Sequence, residues 1–135
     1  MFASMLDPKT AYKRAGVEMS VETADPHRLI LMLFEGALLA IASASLHMKR
    51  KEDAESVARK GEAISKAIDI IDNGLKASLD LNAGGELAGR LAALYDYMSA
   101  RLLYANLRDQ PAALDEVSHL LAELKEAWEQ IGGRP

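Results

Sequence analysis

Four apolar stripes, each keeping spacings of three and four residues and each stopped by a short break, commit this chain to a bundle of helices. The first stripe opens at Asp25-Pro26. An Asp at the N-cap accepts a hydrogen bond from a free backbone N–H, and a Pro at the first helical position forfeits no bond. This helix is expected to run to about Arg50. A second starts at Asp53 and carries Val57, Gly61, Ile64, Ile68, Ile71 and Leu75. The stretch Leu81-Asn82-Ala83-Gly84-Gly85 pairs glycines with a turn residue and reads as a loop. Leu87, Leu91, Leu94, Tyr95, Met98 and Leu102 form the third stripe, which ends near Leu107 ahead of Asp109-Gln110-Pro111. Leu114, Val117, Leu120, Leu121, Leu124, Trp128 and Ile131 form the fourth, stopped by Gly132-Gly133. Helices of about 20 to 25 residues on short links pack most simply as an antiparallel up-down four-helix bundle. The expected fold is therefore all-α, with the bundle over residues 25–135. Residues 1–24 show no sustained period and form an irregular or partly helical N-terminal arm, with Tyr12, Val17 and Val21 as anchors.

Composition narrows the functional classes. A length of 135 residues suits one domain and one core. The absence of cysteine excludes disulfides and thiolate zinc sites and fits a reducing compartment. Asp7 and Lys9 interrupt what would be the apolar run of a signal peptide, so the expected location is cytoplasmic. The most apolar segment, Leu29 to Ala42, falls short of the roughly 20 residues of a membrane span, and no membrane insertion is expected. A net charge of -4 argues against a nucleic-acid partner, and Lys49-Arg50-Lys51 reads as a solvated helix end.

The informative deviation is surplus apolar surface. At steps of about 100° per residue, Ile30, Phe34, Ala37, Ile41 and Met48 share one side of the first helix, while Met32, Leu39 and Leu46 lie opposite, beside Gly36 and Ser43. One small core cannot absorb both sides. On the third helix Tyr97 and Tyr104, with Ala93 and Arg101, lie away from the Leu91, Met98, Leu102 stripe, and Tyr and Arg suit half-wet contact surfaces. Ile70 sits off the second helix's stripe among Ala63, Ala67 and Ala77, small residues that let another backbone approach. Each of these side chains could instead pack beneath the arm or a neighbouring helix. Together they favour grooves that take an amphipathic or extended partner, hence a binding protein and not an enzyme.

Other motifs carry less. Glu116 and His119 match the Glu-x-x-His spacing of di-iron bundles, but no second copy exists and Val117 and Leu121 own the inward face, so no metal is expected. His27, His47 and His119 lack a phosphotransfer context, and no phosphate-cradling loop is present, so no cofactor is expected. Asp69 and Asp72 read as solvated surface charges. Asp96 reads as a local or inter-helix hydrogen-bonding group.

Three stretches resemble the flagellar secretion chaperone family, FliS. They are Thr23-Ala24-Asp25-Pro26-His27-Arg28-Leu29-Ile30-Leu31-Met32-Leu33-Phe34-Glu35-Gly36-Ala37; then Gly84-Gly85-Glu86, Leu91, Leu94-Tyr95-Asp96-Tyr97-Met98, Arg101-Leu102 and Ala105-Asn106-Leu107; and Leu114-Asp115-Glu116-Val117, Leu120-Leu121, Glu123-Leu124 and Trp128. With Tyr12 the likeness spans nearly the whole chain; the second helix departs most from the family pattern. The resemblance implies a cytosolic chaperone that binds the disordered C-terminal segment of flagellin, prevents premature polymerisation and delivers it to export gate components. It also implies that the arm covers a client groove. The client-binding residues expected are Tyr12, Met32, Leu39, Leu46, Ile70, Tyr97 and Tyr104. The competing expectation is a structural or signalling helical bundle that uses the surplus stripe for self-association.

Overall fold

The computed structural model describes residues 25–131. Four helices follow in order: α1 (Pro26–Met48), α2 (Ala54–Ile70), which runs on into a π-helical segment (Ile71–Lys76), α3 (Leu81–Arg108) and α4 (Pro111–Ile131). Asp25 caps α1, its side chain accepting from the Arg28 N–H at 2.7 Å, and Pro26 holds the first turn. Asp53 caps α2 in the same way through the Glu55 N–H.

Helix α1 packs against α2 and α4, while α3 packs against α4, α2 and the π segment. Two tertiary clasps fix the antiparallel order. His27, at the start of α1, meets Trp128 near the end of α4. Lys60, near the start of α2, donates to the Asn106 carbonyl at 3.2 Å and to Asp109 Oδ1 at 2.6 Å at the end of α3. Asp109 itself stands in the left-handed region (φ 49°) as the C-cap of α3. Lys60 is buried, and its cation satisfies a carbonyl that the helix leaves free at that end.

The core takes Leu29, Leu33, Phe34, Ala37, Ile41 and Met48 from α1; Ile64, Ala67 and Ile70 from α2; Ile71 and Leu75 from the π segment; Tyr95, Met98, Leu102 and Ala105 from α3; and Leu114, Val117 and Leu121 from α4. By length and composition α1, 23 residues long, could cross a membrane, although its most apolar run, Leu29 to Ala42, is shorter. Ten of its residues are buried in the bundle, which accounts for its apolarity without a bilayer.

Two elements differ from expectation. The inward positions of early α2 are Ser56 and Lys60, and Val57 is exposed. The buried face then advances, with Ile70 and Ile71, and Gly74 and Leu75, turned inward as adjacent pairs. A π turn accommodates one extra residue per turn, so it shifts the inward face in a way that constant 3.6-residue spacing does not follow. The expected loop at 81–85 is a helical turn capped by Asp80, followed by a break at Gly85 (φ 60°, ψ -136°), a conformation essentially confined to glycine. Gly84 is needed for another reason: a Cβ there would stand 2.6 Å from the Ala88 Cβ.

Candidate functional site

Along the second half of α1 the two-sided pattern is real. Ile41 is 2% exposed in the core, whereas Leu39 and Leu46 are 71% and 65% exposed on the opposite side. Leu39 edges an open trough of about 490 Å³ between α1 and α2. Gly36, Ala40, Ser43 and Ala63 give the trough small walls, Ile70 closes it from the core side, and Arg59, Glu62 and Lys66 line its polar margin. Arg59 is tied to Glu55 at 2.7 Å, a bond that raises the guanidinium pKa above its ordinary value. Small residues here lower the walls, so an incoming helix or strand could bring its backbone close while Leu39 packs against its side.

Two expected docking side chains are not on an open face. Met32 is 6% exposed, within six consecutive buried residues from Leu29 to Phe34. A stretch buried at six successive positions is enclosed on every side, which a one-face reading of periodicity cannot register. Ile70 is 0% exposed, carried into the core where α2 passes into the π segment, so the trough has it only as a floor. Tyr12 lies outside the described residues.

Tyr97 and Tyr104 are exposed on α3 and belong to one polar assembly with α4. The Tyr97 hydroxyl donates to Glu116, Arg101 Nε donates to the same carboxylate at 2.8 Å, and the Arg101 guanidinium lies 4.9 Å above the Tyr104 ring. Donation from Tyr97, then from Arg101, holds the Glu116 carboxyl below its ordinary pKa, and the same bond to Glu116 raises the Tyr97 phenol. Glu116 thus points sideways as its position beside Val117 required, and His119 is exposed. Among the described residues no cluster of three potential metal ligands occurs. Asp96 is paired across helices with Lys76 at 2.6 Å. Asp69 and Asp72 are more engaged than expected, accepting from Asn73 and from Ser99 of α3 at 2.6 and 2.7 Å.

A hollow larger than the trough, and more apolar, lies at the other end of the molecule, where the stripe count points to no site. It encloses about 650 Å³ between the starts of α1 and α3 and the end of α4, with Ile30, Phe34, Leu75, Leu79, Leu91, Leu124 and Trp128 among its walls and exposed Leu87 and Ile131 beside them. Its rim is set by a reciprocal clasp. His27 Nε2 donates to the Trp128 carbonyl at 2.7 Å, Trp128 Nε1 donates to the His27 carbonyl at 2.9 Å, and the two rings stack at 4.9 Å and 7°. Since a carbonyl only accepts, Nε2 carries a proton. Burial of Tyr95 beside the cavity pushes its phenol well above its ordinary pKa. The signal available in the sequence was the run of large apolar residues at the end of the fourth stripe, where the bundle has too few partners to cover Leu124, Trp128 and Ile131.

These surfaces stand on a chain whose relatives are well defined. The family model described as Flagellar protein FliS matches residues 8–135. The chain belongs to the FliS family. Flagellar secretion chaperone FliS of Salmonella typhimurium is 53% identical over 121 residues, covering 90% of this chain and 87% of the relative. The proteins of the same description from Escherichia coli and Bacillus subtilis are 44% and 35% identical, covering 89% and 92% of this chain and 85% of each relative. The FliS fold therefore carries the trough, the tyrosine-arginine assembly and the end cavity in this chain.

Proposed function

We propose that this chain is a cytoplasmic, non-enzymatic flagellar export chaperone that binds the disordered C-terminal segment of flagellin, keeps it from polymerising and hands it to components of the export gate. The observation that carries the reading is the exposure of Leu39 and Leu46 on the side of α1 opposite its core face, beside an open trough. Apolar surface left in water at fixed positions drives association once a complementary chain covers it. Membership of the FliS family supplies the class of partner.

The mechanism is equilibrium binding. The client presents apolar anchors at helical spacing to the trough, and Tyr97, Arg101 and Tyr104 offer a second, wetter contact surface. Ordering a disordered segment offsets part of the gain from burial, so the complex stays releasable when the secretion machinery takes the client. The arm, through Tyr12 and Val17, covers a client groove when no client is present. Deleting residues 1–20 should then tighten client binding, and unchanged affinity would remove the arm from the mechanism.

Native mass measurement with and without the flagellin C-terminal segment tests the reading. A one-to-one complex is expected. A constitutive dimer indifferent to the peptide would instead support self-association through the exposed α1 stripe.

A further inference from the structure

The trough between α1 and α2 carries opposite charge at its two ends. Its walls run from Gly36 to His47 on α1 and from Arg59 to Ile70 on α2 in antiparallel order, so His47 and Arg59 share one end and Gly36 and Ile70 the other. From Gly36 to His47 the trough is about 16 Å long, which suits a helix of about three turns. Beyond the first end lie Lys49, Arg50 and Lys51, all exposed. None of the three enters an ion pair among the described residues. Of the carboxylates on the flanking turns, Asp53 caps α2, Glu55 holds Arg59 and Asp109 holds Lys60, which leaves Glu52 against three cations. At the second end Glu35 adjoins Gly36 and Asp69 adjoins Ile70. Asp69 accepts from the Asn73 amide, and neither carboxylate is in an ion pair among the described residues. Between the ends stand Glu62 and Lys66, of opposite sign. The C-terminus of α1 and the N-terminus of α2 meet at the basic end, so their macrodipole poles offset one another and the side chains set the field.

We propose that this field fixes the direction of the client: a helix of about three turns lies in the trough parallel to α1. Its C-terminal end is at Lys49-Arg50-Lys51 and its N-terminal end at Glu35 and Asp69. The inference rests on the client-binding reading above and adds the polarity with which that client is held. A helix carries about half a negative charge at its C-terminus and about half a positive one at its N-terminus. In this direction both poles meet opposite charge, whereas a reversed helix meets like charge at both. The same field selects the sequence of the docked stretch. Acidic side chains are favoured in its last turn and basic ones in its first, and a chain-terminal carboxylate would act as the acidic ones do. Leu39 and Leu46 lie on one side of α1 about 10 Å apart along its axis, and they set the spacing of the apolar contacts.

The test uses the C-terminal segment of the cognate flagellin in single-cysteine copies, each spin-labelled at a different position, bound to the full methyl-labelled chain. The chaperone has no cysteine of its own, so the label sits on the client alone. Labels that broaden the Leu46 methyls most are expected to lie C-terminal, in the client's sequence, to those that broaden Leu39. The order is read on the unaltered chain and needs no variant to fold. Calorimetric titration of the triple variant Lys49→Glu, Arg50→Glu, Lys51→Glu should show binding about three- to thirtyfold weaker at low salt. The difference should shrink as ionic strength rises to about 0.5 M. The opposite label order, no consistent order, or an affinity indifferent to the triple reversal would overturn the proposal. Binding in which no label reaches Leu39 or Leu46 would overturn it by removing the trough from the client path. Failure of the segment to bind at all is a distinct result, and it removes the client reading as well.

Discussion

Replacing Leu39 by Ala separates a docking side chain from a core one. Full burial of a leucine side chain is worth about 1.5–3 kcal/mol, and Leu39 is 71% exposed, so less than a third of that is at stake in the free protein. The stability loss expected from urea unfolding is therefore about 0.5–0.9 kcal/mol. A client that covers the remaining surface would gain about 1–2 kcal/mol from this residue, so Leu39→Ala should raise the Kd for the flagellin segment roughly five- to thirtyfold. Ile41, two residues on and 2% exposed, provides the contrast: Ile41→Ala should cost about 2–5 kcal/mol of stability. Calorimetric titration and denaturant unfolding on the same preparations give both quantities. A stability loss above about 2 kcal/mol for Leu39→Ala, or an unchanged Kd, would refute the reasoning.

Two glycines of α3 should respond with opposite signs in the same unfolding assay. Gly85→Ala forces a side chain onto φ 60°, ψ -136° and should destabilise by about 1–3 kcal/mol, whereas Gly89→Ala, where an added Cβ meets nothing within 4 Å, should stabilise by up to about 1 kcal/mol. Trp128→Phe keeps an aromatic ring against His27 but removes the indole donor to the His27 carbonyl, and should cost about 1 kcal/mol. The Glu116 carboxyl, lowered by its bonds from Tyr97 and Arg101, contributes stability at pH above its unfolded-state value and loses that contribution as pH falls through the folded value. Its midpoint by NMR titration should therefore lie below the ordinary 4.5 and move back towards it in Tyr97→Phe.

The bundle was legible because helix signals here are local. Asp25-Pro26, Asp53 and Asp109-Gln110-Pro111 mark boundaries through capping chemistry within a turn, and the observed helices begin and end within a few residues of them. Where a boundary depends on backbone geometry, as at the π segment and at Gly85, spacing alone misplaced the inward face or read a loop for a broken helix. The site was legible only in part. Leu39, Leu46, Tyr97 and Tyr104 are exposed as the angular count required, because one face of a helix in a four-helix bundle is left to solvent. Met32 and Ile70 are not exposed, because total enclosure and a shift of register are tertiary facts. The His27–Trp128 clasp joins residues 101 positions apart, and Glu116 reaches Tyr97 across 19, so neither left a periodic trace in the chain.

Methyl-labelled NMR of the full chain, titrated with the flagellin C-terminal segment, reads the proposed client surface residue by residue. The Leu39 and Leu46 methyls should shift and saturate at one equivalent, while the wholly buried Leu33 and Leu102 stay close to their free positions. Binding that leaves Leu39 and Leu46 unmoved, or moves them only as protein concentration rises without peptide, would contradict it.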